Sequence, residues 1–370
     1  VKEALFIQKA KRGELVAWKE LDPITRSRVV GLFEIPKPPD DWNAKKVPVG
    51  VEPIGFKVAE TVTSIVDVFK NSSFILDISA WAPDATVNYG THVIEHAIQS
   101  ALIAGGAPEI CANFGSCAVN EYKDVLSNFS TYVTVLRLDV AAIEDSKDTD
   151  YFTSELDDLL RYWDIQASQL TVLVDFGDVA KYDEKTMFVD CQRVRRIVDP
   201  YGFAGFSIAG SSMPAYINDV VDSHFSDGKV TRKEFSVWKQ LARRPGGSSW
   251  TPANYGIRSA EQLSDFPNKY SNGKSKRTID GGFKVFRGIS RVTEVLLLQH
   301  PKLAVKIVAD SCFPLLPTCW GDNMVFRIAS GKHSGGGHEQ WISYDLNQHI
   351  TFVLSEVRDF RRSIVAAEQV

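Results

Sequence analysis

The chain has 370 residues, 44% hydrophobic and 24% charged, with a net charge of −4. That composition excludes global disorder, permits a large buried core, and gives no overall electrostatic footprint for nucleic acid. No apolar run reaches the roughly eighteen residues of a membrane span, and the five cysteines, odd in number and without a Cys-x-x-Cys pair, read as reduced thiols of a cytoplasmic protein.

The start, "VKEALFIQKAKRGE", lacks a signal-peptide pattern and leads straight into structure. Short apolar runs then recur, most followed by a helical pattern. The run 4–10 precedes a helix over 13–21, and 29–35 precedes a helix over 53–69. The run 74–79 leads to a helix over 91–104, 109–115 to one over 119–127, and 133–140 to one over 153–162. The run 170–179 leads to a helix over 185–198, and 203–211 to helical segments over 215–224 and 231–243. "NYGIRS" (254–259) is the eighth strand, and 283–289 is a ninth extended run. Between these two, "NKYSNGKSKRTIDGG" (268–282) reads as an exposed loop. "SGKHSGGGHEQW" (330–341) reads as a flexible glycine loop or lid, and a last helix covers 347–365.

Strands alternating with helices imply parallel βαβ units, and near-continuous apolar strands imply a sheet buried on both faces. Eight units predict an α/β fold: a (β/α)8 TIM-like barrel with core strands over 4–260. Residues 261–370 form an elaborated, mainly helical C-terminal region packed on the barrel as part of a single domain. An open doubly wound sheet is the alternative, but no glycine-rich dinucleotide fingerprint follows an early strand.

Side chains alternate along a strand, so parity identifies which residues share a face. Val30, Leu32 and Glu34 share one, as do Ile75 and Asp77, Val135, Arg137 and Asp139, Leu173 and Asp175, and Ile7, Lys9 and Lys11. If these faces point inward, the C-terminal mouth collects Lys9, Lys11, Glu34, Asp77, Asn113, Arg137, Asp139, Asp175 and Ser207. Barrel enzymes place their chemistry at that mouth. Glu34, Asp77, Asp139 and Asp175 could act as acid or base or hold Mg²⁺; Lys9, Lys11, Asn113, Arg137 and Ser207 could bind a small anion. The competing expectation is a plug of ion pairs without catalysis.

Other motifs invite chemistry less strongly. "HVIEH" (92–96) matches a zinc-protease pattern, but its polar residues fall on the presumed solvent face. "SHFSDGKVTRKEF" (223–235) resembles the back half of a calcium loop but puts Ser223 and Phe225 at its first and third positions, where strong oxygen ligands are needed; an Asp-Gly turn before a helix fits better. "QRVRR" (192–196) and "GKSKRT" (273–278) are basic patches that read as solvated faces before they read as nucleic-acid contacts. No Gly-x-Ser-x-Gly elbow supports nucleophilic hydrolysis.

The opening resembles the Beta protein family of phages and bacteria. That resemblance is carried by Lys9 and Lys11, Gly13-Glu14 and Glu34-Ile35-Pro36, with shorter echoes in "LDIS" at Asp77, "LRLD" at Arg137 and Asp139, "LVDFGD" at Asp175, "FRG" at Arg287, "CWGD" at Trp320 and Asp322, and "NQHI" at Asn347 and His349. It departs at the eighth strand, where Asn254 stands in place of an acidic residue near Tyr255. The resemblance implies a phage- or mobile-element-associated protein with no settled activity, and it adds Arg287 to the ligand-binding candidates. Two functions follow as expectations. One is a mouth that binds a small anionic, phosphorylated ligand, with metal-assisted phosphoester hydrolysis as its reaction. The other is a non-enzymatic protein-interaction module of a phage or phage-defence system, with 320–341 as its surface.

Overall fold

The computed structural model describes residues 2–38, 47–70, 72–180, 182–261 and 271–368. In chain order the strands are β1 (Ala4–Gln8), β2 (Val29–Glu34), β3 (Ser73–Asp77), the short hairpin β4 (Thr86–Val87) and β5 (Thr91–His92), β6 (Ala107–Asn113), β7 (Val133–Leu138), β8 (Thr171–Asp178), β9 (Gly205–Ser211), β10 (Ser226–Thr231), β11 (Trp250–Asn254), β12 (Asn272–Ile279) and β13 (Gly282–Ser290). Eight of them close into a barrel in the order β1-β11-β9-β8-β7-β6-β3-β2, and every barrel pair is parallel. Closure is therefore observed, and the open-sheet alternative is excluded.

Local sequence explains the connections. Asp22 caps a short helix by accepting from Thr25 N at 2.9 Å, with Pro23 at its first position. Glu52 does the same for Pro53–Phe69, accepting from Ile54 N and Gly55 N at 2.8 and 2.6 Å. Strand parity divides the core in two. Leu5, Ile7, Leu32, Ile75, Cys111, Val135, Leu173, Ala209, Ala253 and Tyr255 fill the barrel interior. The alternate residues, Phe6, Phe33, Phe74 and Leu136 among them, pack outward against the helices in a larger cluster.

β10, β13 and β12 form a separate antiparallel sheet, so the C-terminal region is helical around a small sheet. Three parts of the sequence reading change here. The eighth barrel strand is Trp250–Asn254, not 254–259. The presumed exposed loop contains β12, although 262–270 lies outside the described residues. The Asp-Gly turn at 227–228 lies within β10, where each residue pairs with β13. The region also has a core of its own around Phe286, Leu303, Val325, Trp341 and Tyr344.

The last helix, His338–Glu368, begins earlier than its periodicity suggests. Leu346, Ile350, Val353 and Val357 join the barrel's outer cluster. Its buried polar residues dock the elaboration onto the barrel. Asn347 accepts from Gly321 N at 2.9 Å and donates to Ala17 O at 3.1 Å. His349 bonds Asn254 Oδ1 at 2.9 Å and Thr278 Oγ1 at 2.7 Å, and stacks on Phe283. Gly321 is required because a Cβ there would collide with Tyr344 O. The "CWGD" and "NQHI" motifs thus meet each other and join two parts of the molecule. Among the described residues, no helix is long and apolar enough to cross a membrane.

Candidate functional site

The register sets the mouth. Glu34 pairs with Asp77 across β2 and β3, and Asn113 with Arg137 across β6 and β7, so their side chains reach one level. Arg137 lies at the centre and is 6% exposed. Its Nε donates to Asp175 Oδ2 at 2.8 Å, and its Nη1 to Asp77 Oδ2 at 2.6 Å and Ser79 Oγ at 3.2 Å. Both Nη atoms reach Glu34 Oε1 at 3.3 Å, and Nη2 donates to Tyr255 OH at 2.6 Å. Tyr255 OH in turn donates to Asp175 Oδ2 at 2.6 Å.

The remaining carboxylate oxygens are also used. Asp77 Oδ1 accepts from Ser79 N at 2.6 Å, Asp175 Oδ1 from Gly177 N at 2.9 Å, and Glu34 Oε2 from Arg258 Nη2 at 2.6 Å. Burial alone would lower the pKa of Arg137, but Tyr255, Asp175, Asp77 and Glu34 together hold it well above the usual value. Burial, with Asp175 and Glu34 nearby, pushes the Tyr255 hydroxyl well up, so Tyr255 is a neutral donor. The centre of the mouth is a saturated ion-pair network.

The other sequence candidates are dispersed. Asp139 caps the helix after β7 by accepting from Ala142 N at 3.0 Å. Asn113 accepts from Ser116 N at 3.3 Å and closes the turn after β6. Ser207 is buried on β9, at the same parity as interior Ala209. Arg287 lies on β13 and donates to Val221 O at 2.6 Å and Asp222 O at 2.8 Å, pinning a loop far along the chain from the mouth strands. Among the described residues, no group of three or more His, Cys, Asp or Glu side chains is placed to hold a metal ion; the converging carboxylates hold Arg137.

Lys9 and Lys11 belong to a different feature. Beside the network is a cavity of about 330 Å³ lined by Lys9, Lys11, Glu14, Arg258, Ser259, Glu261, Lys274, Lys276, His338 and Asp345, with Ala215, Ile257, Trp341 and Ile342 supplying apolar wall. Arg258 joins both features, since it also holds Glu34. The cavity lies between the ends of β1 and β11, strand β12 and the last helix. Along β12 the faces separate cleanly. Ser275 bonds Asp345 at 2.7 Å and Arg277 pairs with Asp322, whereas Lys274 and Lys276 line the cavity.

The two β12 lysines differ in their partners. Lys276 Nζ donates to the carbonyl of Ile257 at 2.8 Å. The Lys274 ammonium has no hydrogen-bond or ion-pair partner among the described residues, although its backbone lies in the ladder with β13. Burial lowers the pKa of both amines, that of Lys276 to about 7, where the neighbouring Lys274 charge adds to the effect. Burial raises the two deepest carboxyls: Asp345 is pushed up to about 6, and Glu14, which accepts from Lys9 N at 2.7 Å, also rises. His338 is pushed down to about 4 by burial and by Lys274.

Tyr255 and Arg258 escaped the sequence reading, and Lys274 and Lys276, read as part of a solvated basic patch, are half-buried and line the cavity instead. Pro252 disguised β11, since proline cannot donate to a sheet ladder; with the strand placed at 250–254, Ala253–Tyr255 parity points into the mouth. The lysines sit in a polar segment that resembles surface until its pairing with β13 is known.

The tempting motifs are structural. His92 is buried rather than solvent-facing; it bonds Pro83 O at 2.7 Å and caps its helix through Ile94 N. His96 bonds Gly55 O at 2.9 Å. The glycine loop is pinned where His300 bonds Gly336 O at 2.7 Å and Trp341 Nε1 donates to Gly335 O at 2.7 Å.

Together these features define a closed (β/α)8 barrel with an ion-paired C-terminal mouth and a cationic cavity at its edge. The Beta protein family model matches residues 6–355, and the chain belongs to that family. Among solved structures, the GH6 enzyme of Orpinomyces sp. Y102 is similar at 11% identity, over 71% of this chain and 74% of that one, with a TM-score of 0.27. Barrel closure rests on the strand pairing and not on that likeness. A search of curated proteins finds no match.

Proposed function

We propose that the cavity binds a small anionic ligand of the phosphate class. The observation carrying this reading is Lys274: a half-buried ammonium, lining a cavity, without a described counter-charge. Desolvating an unmatched charge is costly, and a bound anion would offset that cost. Lys9, Lys11, Arg258 and Lys276 line the same space from separate elements, and the apolar wall suits a ligand with a nonpolar portion. Metal-assisted phosphoester hydrolysis at Glu34, Asp77 and Asp175 has less support, because both oxygens of each are engaged by protein donors.

A thermal-shift screen with inorganic phosphate, pyrophosphate and sugar phosphates tests the reading. A ligand at about one hundred times its Kd adds about 2.7 kcal/mol of stability. Absence of a shift with every anion in the screen would contradict it.

Exposed apolar residues favour a second reading, a protein-interaction module. Val295, Leu298 and Val305 are exposed at helical spacing, near in sequence to exposed Leu315 and Leu316. The surface expected at 320–341 fits less well, since Trp341 is buried. A phage or phage-defence setting belongs with this reading. Co-purification with a stoichiometric protein partner, lost on Leu298→Asp, would support it; an unchanged complex would count against this surface.

A further inference from the structure

We propose that Lys276 is an amine nucleophile that forms an imine with a carbonyl compound bearing an anionic group. The inference rests on the anion-binding reading and assigns a reaction class to the same cavity.

The geometry is that of an activated amine. Lys276 projects from β12 into the cavity, beside Lys274 on the same face of the strand. It makes no salt bridge among the described residues, although Asp345 is near enough to accept from its backbone N at 2.8 Å. That carboxylate is turned to the backbone, to Ser275 and towards Arg277, not to the ammonium. Among the described residues, the one acceptor for Nζ is the Ile257 carbonyl. A carbonyl oxygen orients the amine without stabilising its positive charge as a carboxylate would. A neighbouring cation and a desolvated site are the two conditions that free a lysine lone pair. Burial and Lys274 accordingly bring its pKa to about 7, so a substantial neutral fraction exists near neutrality.

The groups facing this amine have matching uses. Lys274, Arg258, Lys9 and Lys11 would hold the anionic end of the compound. Glu14 and Asp345, both with raised pKa, are carboxyls suited to carrying protons, while His338 stays neutral. In the step itself, the Nζ lone pair attacks the carbonyl carbon and an N–C bond forms. The carbonyl π electrons move to oxygen, which takes a proton, giving a carbinolamine. Nitrogen loses a proton, oxygen takes another, the nitrogen lone pair forms the C=N bond as the C–O bond breaks to release water, and the resulting iminium loses its N–H proton to give the imine. Amine and carbonyl compound become imine and water, with no change of oxidation state.

The probe is pyridoxal 5′-phosphate, which joins an aldehyde to a phosphate, followed by borohydride reduction and peptide mass mapping. The expected result is one dominant reduced adduct at Lys276, suppressed by inorganic phosphate and absent in Lys276→Arg. Its formation should rise with pH to a midpoint near 7, well below the 10.5 of an ordinary lysine. Lys274→Gln, which removes the neighbouring charge, should move that midpoint upward. Adduct spread over many surface lysines, or a Lys276 profile with an ordinary midpoint, overturns the proposal. Phosphate-induced stabilisation without the adduct overturns the nucleophile and leaves anion binding standing. Neither stabilisation nor adduct overturns both.

Discussion

The centre of the barrel mouth and the cavity at its edge are both rich in charge, yet they are opposites. At the centre, three carboxylates meet Arg137, Arg258 and Tyr255, and each of their oxygens accepts a protein hydrogen bond. At the edge, among the described lining residues, Lys9, Lys11, Arg258, Lys274 and Lys276 stand against Glu14, Glu261 and Asp345, and the Lys274 ammonium faces open volume without a described partner. Charge density alone therefore does not mark a site. Unmatched charge next to space does, because only there can a ligand supply the missing counter-charge. On the proposed reading the centre serves stability and the edge serves binding, a contrast that substitutions can break.

The largest effect is expected at the centre. Arg137→Met leaves Glu34, Asp77 and Asp175 buried without their shared cation, and should cost about 3–5 kcal/mol in urea unfolding. Retained stability would mean that the carboxylates protonate or hydrate easily and that the network is not structural. Arg287→Gln comes next. It removes a charged donor from two carbonyls on one loop, costing about 1.5–3 kcal/mol, and phosphate affinity should not change. At the edge, Lys274→Gln should weaken phosphate binding about ten-fold, or about 1.4 kcal/mol. The unliganded protein should melt at the same temperature or higher, since a desolvated charge has been removed.

The pH dependence has two opposed signs. Lys276 has a pKa of about 7 when folded, against 10.5 for the free side chain. Its cation helps hold an anion below pH 7, so phosphate affinity should decline as pH rises through about 7. Its contribution to stability runs the other way, because the depressed pKa makes protonation in the folded state costly. That contribution is full above 10.5 and is lost as pH falls through 7. Titration calorimetry and melting curves across this range would separate the two.

Much of the barrel could be read from the chain. Apolar strands followed by amphipathic helices specify βα units, and parity placed Glu34, Asp77, Arg137 and Asp175 on inward faces before their contacts were known. Parity could not say that Arg137 would reach three carboxylates at once, because that depends on closure and shear. It also carried Asp139 too far, since a residue just past the end of a strand is free to turn back and cap a helix. The cavity was harder to read. Lys274 and Lys276 lie on β12, a strand whose partner is β13, and a charged alternating segment has no apolar face to announce it. Arg258 was missed with Tyr255, because both follow a strand hidden by Pro252.

Calorimetric titration of phosphate into the Lys274→Gln and Asp175→Asn proteins separates the two regions most directly. Expected is a large loss of affinity in Lys274→Gln with its fold intact, and near-native affinity in Asp175→Asn despite lower stability. Affinity lost in a folded Asp175→Asn protein and kept in Lys274→Gln would place the anion at the barrel centre and contradict the assignment of binding to the edge cavity.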